Sequence, residues 1–409
     1  MNLVLILLSL VSPNQSGQSI RVWFVPDSLG LRMVDFINGA VSSIDYCCYN
    51  SSRSDVVQAL IAARNRGVQV RVITDDSRLD DDWVASLRSN GIPVWSDSGF
   101  PGAGYYMHNK FVVRDLGDND STNDRLWTGS YNPNQNELNA DFALEISHTG
   151  LARAYLAEFN QMWGSTGGQP ERDSARFHSR KQDVLATHQF IIDGYPVNLF
   201  FAPQDRVVDS ITSLVNRARK DVIFTIFSFT YSALAQTLVE RWNQGVKIAG
   251  TIDKSGANDP ASQYPFLKNQ GIPILVDSVP FGNGVLHEKM MLIDYHTAIV
   301  GSANWSNNAN FNNDENLLVI TNPDWAKLFY PELVARYVEA GGTVPPGIEE
   351  IQIQQVPVRR IQLRNSFQPM PGETVYDVTG RKKPSGAQLG SGIFLLFSDF
   401  NNYRVVLAR

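Results

Sequence analysis

His108-Asn109-Lys110-Phe111-Val112-Val113-Arg114-Asp115 is answered in the second half of the 409-residue chain by His287-Glu288-Lys289-Met290-Met291-Leu292-Ile293-Asp294. In each copy His and Lys stand two residues apart at the head of an apolar run, so on a strand imidazole and ammonium project from one face. Asp115 and Asp294 each fall seven residues after the histidine, an odd offset that places them on the opposite face or past the strand end. They are expected to brace a turn. A Gly-Ser-x-Asn step follows each copy, Gly129-Ser130-Tyr131-Asn132 and Gly301-Ser302-Ala303-Asn304. If those steps are extended, Ser130 and Asn132 share a face, as do Ser302 and Asn304, and all four can donate to phosphate oxygens. With the point charges of Lys110 and Lys289, the two copies together form an inventory for phosphate-ester chemistry.

The duplication reaches beyond these stretches. Arg21-Val22-Trp23-Phe24-Val25-Pro26 matches Asn198-Leu199-Phe200-Phe201-Ala202-Pro203, Gly67-Val68-Gln69-Val70 matches Gly245-Val246-Lys247-Ile248, and Gly91-Ile92-Pro93-Val94 matches Gly271-Ile272-Pro273-Ile274. The offset holds at about 180 residues, as an internal repeat requires. Residues 54–66 and 232–243 carry apolar side chains at helical spacing with Ser at the start and Gly just past the end. The β-branched runs 70–73 and 222–226 are strands. The pattern predicts an α/β fold in which each half is an α/β sandwich with a parallel or mixed sheet, the halves packing as pseudo-twofold partners around one cleft.

On those motifs the chain resembles the phospholipase D superfamily, whose signature is H-x-K-x4-D followed by a Gly-Ser step and Asn. The second copy has the usual separation between Asp294 and Gly301. The first carries a turn-rich insertion, Leu116-Gly117-Asp118-Asn119-Asp120-Ser121-Thr122-Asn123-Asp124, expected to lengthen a hairpin. The resemblance covers about residues 20 to 336. It implies a metal-independent phosphodiesterase needing no cofactor, in which one histidine attacks phosphorus and the other serves as acid and then base. His108 is the nucleophile by that analogy, although the symmetry of the sequence does not choose. Lys110, Lys289, Ser130, Ser302, Asn132 and Asn304 are then expected to stabilise the non-bridging oxygens. The resemblance also implies a carboxylate after the Gly-Ser step that orients a histidine. Glu315 in Asn313-Asp314-Glu315-Asn316 occupies that place, and Asp141 in Asn139-Ala140-Asp141-Phe142 is its first-half counterpart.

Residues 19–165 and 191–340 are read as the two catalytic units, with 166–190, rich in Gly, Ser, Arg and Gln, as the connection. Residues 1–18 contain the apolar run Leu3 to Val11, the length of a signal-peptide core and too short to span a bilayer. After Gly341-Gly342-Thr343-Val344-Pro345-Pro346 the composition shifts, and residues 341–409 read as a small antiparallel β-sandwich. Its runs Val375-Tyr376-Asp377-Val378-Thr379-Gly380-Arg381, Leu389-Gly390-Ser391-Gly392-Ile393-Phe394 and Val405-Val406-Leu407-Ala408-Arg409 resemble C-terminal sorting domains of the type IX secretion route, which implies bacterial secretion machinery as a partner and a secreted or cell-surface protein. The two cysteines, Cys47 and Cys48, are adjacent and have no metal-site spacing.

The resemblance leaves two substrate classes, a phospholipid head-group diester at a membrane surface and, as the alternative, nucleic acid cut by a secreted nonspecific endonuclease. A net charge of −6 and a pI near 5.6 weigh against a basic phosphate track. The loops before the histidines, residues 100–106 and 280–284, are apolar and glycine-rich and would admit acyl chains or stack on bases. No oligomer is needed to complete the site, since both halves lie in one chain.

Overall fold

Short β-branched runs that alternate with amphipathic helices build two sheets, each flanked by helices on both faces. The computed structural model describes residues 19–343, apart from 26–28, 101, 103, 136–137 and 278–283, and four strands between 362 and 408. The expected signal segment lies outside the described residues, as do the side chains of the expected sorting domain. The chain divides into one unit, Met1–Ile348, and a second, Glu349–Arg409.

Among the described residues the first half forms a seven-stranded sheet. Its strands are β1 (Ile20–Phe24), β2 (Ser43–Cys48), β3 (Gln69–Thr74), β4 (Val94–Ser96), β5 (Phe111–Arg114), β6 (Arg125–Gly129) and β7 (Phe142–Ile146), in the order β1-β7-β6-β5-β2-β3-β4. β2, β3 and β4 run parallel, and the remaining pairings are antiparallel. The second half repeats this with β8 (Gln189–Ile192), β9 (Tyr195–Ala202), β10 (Asp221–Ile226), β11 (Lys247–Asp253), β12 (Ile274–Asp277), β13 (Lys289–Ile293), β14 (Thr297–Gly301) and β15 (Glu315–Thr321), ordered β12-β11-β10-β13-β14-β15-β9-β8. β5 and β13 are therefore interior strands, buried on both faces, which is why they read as continuous apolar runs.

The helices Ser54–Asn65 and Ser232–Asn243 stand where the sequence puts them, each closed by a left-handed glycine, Gly67 (φ 93°) and Gly245 (φ 89°). Val112 on β5 packs into the apolar cluster with Leu29, Met33, Val56 and Leu60, while Phe111 faces the other way and meets Tyr155 of the helix Thr149–Trp163 with ring centroids 5.0 Å apart. The sequence thus sends His108 and Lys110 along one side of the strand and Asn109 along the other. Residues 116–124 form the loop of the β5–β6 hairpin, as their turn chemistry requires.

The connection is more than a tether. Ala175, Phe177, His178 and Lys181 are buried, and Glu158 and Asp314 both pair with the Lys181 ammonium. In the second unit, β16 (Gln362–Arg364), β17 (Thr374–Asp377), β18 (Gly392–Asp399) and β19 (Asn402–Ala408) form one four-stranded sheet, ordered β16-β19-β18-β17, with β16 parallel to β19. Among the described residues that is a single mixed sheet rather than the two layers of a sandwich. Among the described residues no helix is long and apolar enough to cross a membrane.

Candidate functional site

Each histidine sits just before an interior strand and is held by the opposite half. Two isolated parallel bridges join the halves, Met107 with Asp314 and Ala140 with Leu286. The His108 amide donates to the Asp314 carbonyl at 3.0 Å, and the His287 amide donates to the Ala140 carbonyl at 2.9 Å. The residue after each bridging carbonyl is a carboxylate. Glu315 therefore meets Nδ1 of His108 at 2.8 Å, and Asp141 meets Nδ1 of His287 at 2.8 Å. The expected partnership of Gly-Ser acid and histidine is formed crosswise, each half supplying the carboxylate for the other's imidazole.

Both carboxylates are buried, and each histidine side chain keeps 12% of its surface exposed. With Nδ1–H donated to the carboxylate, Nε2 is the free nitrogen, which is the tautomer a nucleophile or base needs. Burial pushes His108 down to about 4, against the raising effect of Glu315 and with help from the Lys110 charge. His287 is lowered too, by burial and then by Lys289. Burial pushes Glu315 up, but His108 and Lys110 hold it below the usual carboxylate value. The resting pair is thus a neutral imidazole beside a carboxylate. Lys110 and Lys289 donate to the carbonyl oxygens of His108 and His287 at 2.8 and 2.5 Å. Burial lowers Lys110 to about 8 and Lys289 to about 7, and each lysine also depresses the histidine of the other half, so the four groups share one electrostatic site.

Ser130 and Ser302 stand behind the carboxylates. Ser130 donates to Asp141 at 2.6 Å and accepts from the Phe142 amide; Ser302 donates to Glu315 at 2.7 Å and accepts from the Asn316 amide. Their protons are committed to the acids that hold the imidazoles, where the sequence alone allowed them to reach a phosphate. The preceding glycines have a steric reason: a Cβ on Gly129 would lie 2.4 Å from the Phe142 carbonyl oxygen, and one on Gly301 would lie 2.2 Å from that of Asn316. Asn132 and Asn304 are half-buried, each with a buried Oδ1 that has no hydrogen-bond partner among the described residues.

Asp115 and Asp294 lie past the far ends of β5 and β13, away from the histidines. Asp115 Oδ1 accepts from the amides of Val41 and Ser42, both at 2.8 Å, and Asp294 accepts from Arg219, Lys220 and Asp221. They cap the chain entering β2 and β10, as expected of turn-bracing residues. Between the signature residues, Asn109 accepts from Asn316 at 3.0 Å. Glu288 takes the equivalent place, accepts from Thr225 and has its carboxyl raised by burial and by the neighbouring Glu332.

Sequence reasoning missed several residues at this site. Tyr49 and Phe227 lie beside the two imidazoles, with ring centroids at 5.4 and 5.3 Å. Asp75 accepts from the Met107 amide and Asp253 from the Leu286 amide, both at 2.9 Å, which fixes the backbone ahead of each histidine. The signal was the repeat itself, since Thr74-Asp75-Asp76-Ser77 and Ile252-Asp253-Lys254-Ser255 occupy matching places. Asp314 also grips the connection through Lys181 at 3.1 Å and His178 at 3.2 Å, and nothing local in the sequence marks that contact.

Comparison with known proteins follows the same division. The sequence profile described as "Cardiolipin synthase, PLD-like domain" matches residues 33–163 and again 211–335. A phospholipase D of Rickettsia bellii (strain RML369-C) is 25% identical over 145 residues, 36% of this chain and 71% of that protein. A mitochondrial cardiolipin hydrolase of Xenopus laevis is 31% identical over 141 residues, 34% of this chain and 62% of that protein. Among solved structures, phosphatidylserine synthase of Haemophilus influenzae Rd KW20 superposes with a TM-score of 0.55 at 15% identity, covering 78% of this chain and 86% of that one, a likeness of fold.

Proposed function

Because the chain belongs to the phospholipase D-like family, matched over both halves of its catalytic unit, we propose that it hydrolyses head-group phosphodiesters of phospholipids through a phosphohistidine, without a metal. The observation that carries this reading is the crossed pair of buried carboxylates, each fixing one imidazole with Nε2 free. His108, neutral at physiological pH, attacks phosphorus through Nε2, and the bond to the head-group oxygen breaks. His287, charged once the diester anion enters and favours its protonated form, gives the leaving oxygen its proton. His287 then takes a proton from water, whose oxygen attacks phosphorus and breaks the P–N bond. Lys110 and Lys289 supply the positive charge that a metal supplies in other phosphoryl-transfer sites. Asn132 and Asn304 offer further amide donors. Ser130 and Ser302 act through Asp141 and Glu315.

A lipid substrate is supported by the acidic net charge and by two exposed apolar residues at the approaches to the site, Tyr106 just ahead of His108 and Leu138 just ahead of Asp141. It also agrees with the names of the phospholipase D and cardiolipin hydrolase relatives. The test is incubation with phosphatidylcholine vesicles and with plasmid DNA, in EDTA. Choline release without nicking supports the reading. Nicking without choline release replaces it with an endonuclease, and loss of activity in EDTA removes the metal-free mechanism. We also propose export through residues 1–18 and the C-terminal segment; unchanged export after deletion of the residues beyond Glu373 refutes the sorting role.

A further inference from the structure

The bridge that holds His108 is itself gripped by the connection between the halves. The main chain of Asp314 serves the strand entry: its amide donates to the Tyr106 carbonyl and its carbonyl accepts from the His108 amide, both at 3.0 Å. Its carboxylate faces the connection, where Oδ1 accepts from the His178 amide at 2.8 Å and from Lys181 at 3.1 Å, and Oδ2 lies 3.2 Å from His178 Nδ1. His178 also reaches the opposite support of the same backbone. Its Nε2 lies 3.0 Å from Asp97, whose other oxygen accepts from the Asp76 amide at 2.7 Å, and the adjacent Asp75 accepts from the Met107 amide.

With a carboxylate at each ring nitrogen, only the imidazolium offers a proton to both. Burial pushes the His178 pKa down, but Asp314 and Asp97 hold it above the usual histidine value. Lys181 adds a second cation, paired with Glu158 as well as Asp314, and His178, Asp97, Asp314, Lys181 and Glu158 are all buried. His178 keeps a left-handed backbone (φ 55°), which a non-glycine residue holds only where its surroundings fix it. The same stretch packs on the loop ahead of His108: Phe177 meets Phe100 with ring centroids 5.0 Å apart, and Tyr105 meets the His178 ring at 5.9 Å. The His287 side is built differently. Ala140 stands where Asp314 does and makes the matching backbone bonds, to Val285 and His287, both at 2.9 Å, but its methyl group gives a connection nothing to hold.

We propose that the connection is a clamp on one half of the site, in which His178 and Lys181 are positioning residues for His108 and for the Glu315 carboxylate that follows Asp314. Desolvation offsets much of the attraction in a buried ion network, so the role of this one is to fix a single register between Met107 and Asp314. A misplacement of about 1 Å costs on the order of a hundredfold in rate. The kinetic consequence rests on the phosphodiesterase reading above; the clamp itself needs no substrate.

Hydrogen exchange of the full-length protein, read by mass spectrometry, compares residues 105–110 with residues 284–289, the same strand entry in the two halves. His178→Gln and Asp314→Asn are expected to speed exchange in 105–110 by about tenfold or more, the loss of one charge-assisted contact, and to leave 284–289 within about twofold of wild type. In hydrolysis of bis(p-nitrophenyl) phosphate the same variants lower kcat by about ten- to a hundredfold with KM within about threefold. Equal acceleration in both segments, or none in either, overturns the clamp, and a kcat within about threefold of wild type overturns the positioning role. Asp314→Asn leaves Lys181 paired with Glu158 and His178 with Asp97, so it decides if circular dichroism shows His178→Gln unfolded. Should the wild type hydrolyse no diester, the proposed function fails and the exchange contrast still decides the clamp.

Discussion

Glu315→Gln tests the crossed architecture most directly, because it changes one buried atom pair in the second half and should disable the histidine of the first. Glu315 is fully buried and receives Nδ1 of His108 at 2.8 Å, Ser302 Oγ at 2.7 Å and Asn313 Nδ2 at 3.2 Å. Glutamine is nearly isosteric, so the pocket stays filled. Its amide oxygen can still accept one of those donors, but its NH2 group faces a surplus of donors and its negative charge is gone. A hydrogen bond to a charged group contributes about 1.5–3 kcal/mol, roughly ten- to a hundredfold in rate. Loss of tautomer control extends that toward about 10⁴-fold where a triad carboxylate is amidated. We expect kcat to fall by about 10²- to 10⁴-fold with KM within about threefold. Glu315 raises the basicity of His108, so its removal lowers the histidine pKa further from about 4. The acidic limb of kcat/KM, where His108 must be unprotonated, then moves to lower pH. Steady-state hydrolysis of bis(p-nitrophenyl) phosphate between pH 3 and 10 measures both effects. Glu315→Gln activity within fivefold of wild type, with an unmoved acidic limb, would refute the reasoning, and Asp141→Asn provides the mirror experiment on His287.

Other outcomes follow from the same geometry. Ser130→Ala should lower kcat by about tenfold with little change in KM, because the hydroxyl supports Asp141 rather than the phosphate; a dominant KM effect would restore the phosphate role. The wild-type kcat/KM should also decline above pH 7 to 8, since Lys289 at about 7 and Lys110 at about 8 lose their charge there, and a rate that climbs steadily to pH 10 contradicts this. Asp294→Ala should cost about 2–4 kcal/mol of stability in urea unfolding, because three backbone amides lose their acceptor; a midpoint equal to wild type would show that water replaces the carboxylate. Gly301→Ala should destabilise or misfold the chain, given the 2.2 Å approach of the Asn316 carbonyl oxygen, and normal thermal unfolding of that variant would mean the β14–β15 pairing yields more easily than it is packed.

The local signals were the legible ones. Helices 54–65 and 232–243 follow from apolar spacing and a closing glycine, because both act within a few residues. The strands after His108 and His287 follow from the apolar run and its parity, and the extra hairpin loop follows from the turn chemistry of residues 116–124. The connection was less legible. Its polar composition reads as solvated, yet Lys181 is buried between Glu158 and Asp314, and a buried ammonium is explained only by acids distant in sequence.

By itself the sequence determined the reacting groups and the fact that they come in two copies, since a repeat of His, Lys, Gly, Ser and Asn at fixed spacing is local information. The tertiary structure decided which carboxylate serves which histidine. That choice depends on two single bridges, Met107 with Asp314 and Ala140 with Leu286, which join residues far apart in the chain and leave no periodic trace. It also decided that the serines stand behind the acids. Spacing along a strand fixes the face on which a side chain lies, but the partner across that face is set by packing between halves.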